Sequence, residues 1–214
     1  MAFHFVRNFS NTSVVMCKKI YQRGFSLIEL LVVTAIFGIV SSVTLANHSQ
    51  FGGQIILENM AYDIALSVRH AQLYGIAVRR FGSDTFGVGY GLHFASATTY
   101  ELFADLLDGN GIYDCPDPEN QATCELVEST TIVGGHRITG LCVRPSGSST
   151  FVCGKSRVDV LFKRPEPDAY IRASTGGVPD GGLYEAAQIV ISSPRGQSKG
   201  VVIEQSGQIS VQSI

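Results

Sequence analysis

Acidic residues are absent from the first 24 positions of this chain, and after them basic residues are too few to form a general polyanion-binding surface. The leader holds Arg7, Lys18, Lys19 and Arg23. Taking these four from the 16 Lys and Arg of the chain leaves 12 against 18 Asp and Glu, a balance of −6. Phosphate recognition depends on clustered Lys and Arg, so nucleic acid is not an expected partner. No repeat, low-complexity tract or second domain is evident. His48, His70, His93 and His136 are scattered, and none sits in a recognisable catalytic motif. An enzyme would need a nucleophile, an acid–base pair or a metal set converging in one pocket, so the chain is not read as an enzyme. What the 214 residues do contain, at 45% hydrophobic content, is enough apolar side chain for one core of ordinary size plus an N-terminal segment.

That segment is the run at 25–46, FSLIELLVVTAIFGIVSSVTLA, whose single ionisable group is Glu29. At about 20 residues per crossing it is long enough to span a bilayer as a helix. The basic residues lie immediately before it, which places the N-terminus in the cytoplasm and the bulk of the chain outside. A secretory signal peptide is the rival reading, with Ala46 in TLANHS offering the small residue such a cleavage site needs. Glu29 argues against it, because a carboxylate near the end of an apolar helix is costly in lipid and calls for a specific partner.

Gly24-Phe25-Ser26-Leu27-Ile28-Glu29-Leu30 resembles the cleavage and methylation motif of type IV prepilins. The resemblance implies that a prepilin peptidase cuts between Gly24 and Phe25, that the new amine of Phe25 is N-methylated, and that the apolar run is kept. Glu29 then pairs with the terminal amine of a neighbouring subunit during assembly, since two buried charges in a dry filament core are tolerable only when matched. Translation from Met16 would give a shorter basic leader, MCKKIYQRG.

After Ala46 the polar stretch NHSQFGG predicts a kink or loosening near Gly52 and Gly53. Leu57, Ala61, Ile64, Val68, Ala71 and Gly75 then recur at spacings of three and four, with Glu58, Asp63, Arg69 and Gln72 on other faces, predicting an amphipathic helix over 54–79. Strands are predicted within 86–103, with a hairpin at 96–98, and at 125–133, 137–143, 157–162, 187–192, 200–205 and 208–211. His70 is assigned to the exposed side of the helix and His93 to one face of a strand. The expected fold is α+β, a long N-terminal helix, half transmembrane and half amphipathic, packed on antiparallel β-sheets in the manner of a pilin. Its parts are a cleaved leader at 1–24, a membrane or filament-core helix at 25–46, an amphipathic continuation at 47–81 and a β-rich globular domain at 82–214. DIALSVRHAQLYGIAVRR and the C-terminal QIVISSPRGQSKGVVIEQSGQISV also resemble H-type minor pseudopilins of type II secretion and related type IV minor pilins.

Cys17 falls in the leader, leaving Cys115, Cys124, Cys142 and Cys153 beyond the anchor. Two disulfides are expected in an oxidising exterior. The local pairing 115 with 124 and 142 with 153 would staple two loops, although three connectivities are open from sequence. A four-thiolate zinc site is disfavoured by the lack of Cys-x-x-Cys spacing. FADLLDGNGIYDCPDPE crowds Asp105, Asp108, Asn110, Asp114, Asp117 and Glu119 among glycines. It only partly follows an EF-hand register, because Ile112 and Tyr113 stand where an oxygen ligand and glycine belong. Two readings stay side by side: a non-EF calcium loop with Asp105, Asp108, Asn110 and Asp114 as candidate ligands, which some pilin-like proteins also order, and a solvated turn in which Asp and Asn cap backbone.

No cofactor is required by this reading, and calcium is the one candidate ion. Its expected partners are the prepilin peptidase, other pilin or pseudopilin subunits, an inner-membrane assembly platform and the membrane itself. A DNA- or surface-binding minor pilin, with Arg195 and Lys199 in the turn SPRGQSKG, is the alternative, together with a calcium-stabilised exported binding module.

Overall fold

The computed structural model describes residues 24–77, 80–81, 85–107, 109–117, 120 and 123–214. The chain divides into two compact units, Met1–Ala46 and Asn47–Ile214. One helical element, α1 (Leu27–Ile76), contributes to both, and its backbone stays helical at Gly52 and Gly53, where a loosening was expected.

In the first unit, the helix starts on Ser26. The Ser26 hydroxyl accepts from the Glu29 amide at 3.2 Å, and Leu30 N–H donates to the Ser26 carbonyl. Ser26-x-x-Glu29 is therefore half of a capping box, with an acid in the first turn where the helix dipole favours it. Leu27–Leu45 follows as an apolar span with mean hydropathy 2.2 and no side chain buried within the unit.

In the second unit, Leu57, Ala61, Ile64, Val68 and Ala71 form the buried helical stripe. Among the described residues thirteen strands follow: β1 (Arg80–Phe81), β2 (Thr85–Phe86), β3 (Gly89–Phe94), β4 (Thr99–Asp105), β5 (Leu126–Thr131), β6 (Arg137–Arg144), β7 (Val152–Cys153), β8 (Arg157–Phe162), β9 (Ala169–Thr175), β10 (Val178–Pro179), β11 (Ala186–Ser192), β12 (Ser198–Glu204) and β13 (Ile209–Ser213). They make a six-stranded sheet in the order β10-β9-β8-β3-β4-β5, a five-stranded sheet β13-β12-β11-β6-β7, and the pair β1-β2. Every pairing is antiparallel. The helix stripe shares one core with Leu92, Phe94, Val158, Val160 and Ile171 of the larger sheet and Val143, Ile189, Ile191, Val201 and Ile203 of the smaller. The arrangement is α+β and pilin-like.

Gly75 shows how closely helix and sheet approach, since a Cβ there would lie 2.2 Å from the Phe162 carbonyl oxygen. Gln72, assigned by periodicity to a polar face, is instead 4% exposed. Its amide donates to the Pro167 and Gly207 carbonyls at 3.0 and 3.2 Å, so a polar side chain occupies the core edge by satisfying two turns. The helix ends at Ile76 rather than at 79, and the following positions 78–79 lie outside the described residues. Strand β9 was not anticipated. Its core side is built partly from the small residues Ala169 and Ala173, and a proline-rich stretch and Gly176–Gly177 flank it, which weakens any strand signal.

Candidate functional site

The residues singled out in the sequence fall in two places. Gly24, Phe25 and Glu29 lie together at the head of the apolar span, all exposed within this chain. Two features of that span point to something outside the chain. Phe25 is 80% exposed, and Leu27, Ile28 and Leu30 beside it are exposed too. Among the described residues a Cβ at Gly24 or Gly38 would meet nothing within 4 Å, so none of their packing calls for glycine at either position. Glycine inside a helix costs about 0.5–1 kcal/mol relative to alanine, and no contact among the described residues offsets that cost at Gly38. Three hydroxyls of the span, by contrast, are satisfied within the helix. Thr34 donates to the Leu31 carbonyl, Ser42 to Gly38, and Thr44 to Val40 and Ser41, at 2.7–3.1 Å. Hydroxyls bonded in this way add little polar surface to the span, which leaves Glu29 as its one charged group.

The second group sits on the outer face of the six-stranded sheet, opposite the helix. On β3, Tyr90, Leu92 and Phe94 face the core, while Gly91 and His93 face the loop that joins β4 to β5; that double cover explains why the strand is buried on both sides. His93 Nδ1 lies 2.6 Å from Asp159 Oδ1 on the neighbouring β8, and Arg157 Nε stands 3.0 Å from Asp159 Oδ2 as an ion pair. Tyr113 from the loop packs its ring 4.6 Å from His93 and 5.7 Å from Phe103. His93 is thus a buried, paired residue that fastens the loop to the sheet. Burial, followed by the charges of Glu101 and Glu125, pushes the Tyr113 hydroxyl above its ordinary range.

Of the candidate calcium ligands, Asp105 ends β4 and accepts from the Gly111 amide at 3.3 Å. Asn110 accepts from Ile112 N–H at 2.6 Å and donates to Asp114 at 3.1 Å. Asp108, with Glu119 beside it in the sequence reading, lies outside the described residues. Among the described residues no three His, Cys, Asp or Glu side chains are grouped to hold a metal. The geometry at Asp105 and Asn110 is that of side chains capping local backbone.

The carboxylate that organises this loop is one that sequence reasoning passed over. Glu125, taken as the first residue of a strand, is 0% exposed. Its Oε1 accepts from the amides of Leu106 and Leu107 at 2.7 and 2.9 Å, and Oε2 from Asp114 at 3.0 Å. Burial raises its pKa above the ordinary 4.5, the three amides oppose that shift, and the nearby Asp105 adds to it. The only sequence signal was an acid directly after Cys124, and nothing in the local pattern distinguishes it from the other acids of the stretch.

The structure pairs Cys115 with Cys124 and Cys142 with Cys153. The first bond closes the same loop one residue before Glu125. The second joins directly opposed residues of β6 and β7 and holds a two-residue strand that has little else to define it. Mass spectrometry of the exported chain without reductant is expected to find no alkylatable thiol at these four positions; a modified cysteine there would remove the pairing.

A family model for the prokaryotic N-terminal methylation motif matches residues 19–45. The match supports a type IV prepilin-like protein, the class of precursor that a prepilin peptidase processes and that assembles with other pilins. An apolar helix bearing this motif fits membrane anchoring. No curated protein matches the chain, and no solved structure does.

Proposed function

We propose that the chain is a minor pilin or pseudopilin, cut between Gly24 and Phe25, methylated on Phe25, and drawn from the inner membrane by an assembly platform into a type IV pilus or type II secretion pseudopilus. The observation that carries this reading is the methylation motif on a capped, fully exposed apolar helix whose glycines have no packing role in the subunit itself. The H-type reading is drawn from two resemblances, DIALSVRHAQLYGIAVRR, most of which lies in the last part of α1, and the C-terminal segment, which forms the β11–β12 hairpin continued by β13.

In this scheme residues 25–46 anchor the subunit in the bilayer and then exchange lipid for neighbouring helices, while the β-rich unit faces outward. Glu29 supplies the charge that answers the amine of Phe25 on an adjacent subunit, where low dielectric makes an unmatched charge costly. Glu29→Ala is expected to leave cleavage intact and to cut incorporation into sheared filaments or pseudopili by at least about tenfold, the equivalent of about 1.4 kcal/mol. Normal incorporation of the variant, quantified against its membrane pool, would refute the pairing.

A further inference from the structure

Where the loop between β4 and β5 meets the outer face of the six-stranded sheet there is a cleft of about 660 Å³. That volume falls within the range of small-molecule sites, about 300–1,000 Å³. Its described lining residues all belong to the second unit. Four of them are polar, and each keeps a hydrogen-bonding group that no other described residue uses. His93 meets Asp159 through Nδ1, which leaves Nε2 without a partner. Arg157 meets Asp159 through Nε alone, so both terminal guanidinium nitrogens are unbonded. Asp114 accepts from Asn110 at Oδ2, and its Oδ1 is unused. Tyr113 bonds through its backbone amide and packs through its ring, leaving its hydroxyl without a partner. Asp159 is a carboxylate and can only accept, so Nδ1 carries the proton of the neutral His93 ring and Nε2 presents a lone pair.

The open groups are thus mixed: N–H donors on Arg157, acceptors at His93 and Asp114, and a hydroxyl on Tyr113 that does both. Charge narrows the ligand further. Arg157 and Asp159 offset each other while Asp114 adds a negative charge, so an anion is disfavoured. A cation has nothing to offer the guanidinium N–H groups, and among the described residues no three His, Cys, Asp or Glu side chains are grouped to hold a metal. An uncharged ligand rich in hydroxyls satisfies both kinds of group, since each hydroxyl donates and accepts. The terminal nitrogens of Arg157 form a planar fork oriented by the Nε contact, which suits two neighbouring oxygens. Leu107, Pro116 and the Tyr113 ring add apolar wall, which the C–H face of a sugar ring covers without the ordering cost of a flexible polyol. We propose that the cleft bounded by His93, Tyr113, Asp114 and Arg157 binds a neutral saccharide. The inference concerns the second unit alone and does not depend on cleavage, membrane anchoring or assembly.

The test is an NMR titration of the full chain in mild detergent, with isotope-labelled histidine so that His93 Nε2 is observed directly and assigned by its loss in His93→Gln. The probes are maltose, cellobiose and lactose. The controls are sorbitol, which has the hydroxyls but no ring, glucuronate, which adds a charge, and acetyl-trialanine amide, an uncharged peptide. At least one disaccharide is expected to shift the His93 signal saturably and to bind about tenfold more tightly than every control. Asp114→Ala, at a partly exposed loop position, is expected to weaken that binding about fivefold, the size of one hydrogen bond. Arg157→Lys, which keeps a cation beside Asp159 but loses the fork, is expected to weaken it about tenfold, with near-UV circular dichroism confirming the fold. No saturable shift with any disaccharide up to about 10 mM overturns the proposal. So does a control that binds as tightly as the best disaccharide, glucuronate then pointing to an anion and the peptide to a protein partner. Unchanged affinity in Asp114→Ala also overturns it; that variant leaves the Arg157–Asp159 pair intact and decides the matter if Arg157→Lys does not fold.

Discussion

Glu125→Ala is expected to destabilise the β-rich unit by about 4 kcal/mol, because it leaves three backbone amides without an acceptor and opens a void at a fully buried position. The amides of Leu106, Leu107 and Asp114 all converge on this one side chain, and no solvent reaches it to replace the lost bonds. The loop over His93 and Phe103 should loosen first, visible as faster amide exchange at residues 106–114 before global unfolding. Glu125→Gln is expected to cost less, about 1–3 kcal/mol: its carbonyl still serves Leu106 and Leu107, but its amino group faces the Asp114 N–H, donor against donor. The pH dependence separates the two further. A pKa raised in the folded state means the native protein binds this proton more tightly than the unfolded chain. That contribution is therefore present below the ordinary 4.5 and is lost as pH rises through the raised value. Urea titrations across this window should show the slope in the wild type and not in Glu125→Gln. Full stability of Glu125→Ala would mean the three amides find other acceptors.

Replacing Gly24 with a bulky residue is expected to abolish maturation, the largest functional effect in the molecule. A Cβ there meets nothing among the described residues, so folding of the β-rich unit should be unaffected and the loss should fall on recognition by the peptidase. Mass spectrometry of membranes containing an active prepilin peptidase should find N-methyl-Phe25 at the wild-type N-terminus and the intact leader on the variant. An undiminished cleaved product from the variant refutes this processing, and a wild-type N-terminus at Asn47 would mark an ordinary secreted β-domain instead.

The N-terminal motif was legible from residue order because it depends on almost nothing else. An apolar run with one acid, a basic leader and GFSLIEL form a linear motif that is a property of consecutive residues and needs no tertiary contact to be recognised. The amphipathic stripe from Leu57 to Ala71 and most strands were legible for a related reason, since a helix or strand with one buried face writes its period into the sequence. Even so, GFSLIEL held a structural role that motif reading overlooked, the Ser26 hydroxyl capping the Glu29 amide.

Tertiary structure decided what depends on meeting partners far apart in the chain. Gln72 went to the core edge because carbonyls 95 and 135 residues away accept from it. His93 became a fastener because Asp159 stands opposite it across a strand pair. Strand β9, with small core residues between turn signals, is a strand because β8 presents a complete ladder to it. Glu125 lay unnoticed among the acids around it, since only the folded loop brings three amides to one carboxylate. Local periodicity and linear motifs are properties of consecutive residues, whereas burial of a polar group is settled by what the rest of the fold offers it.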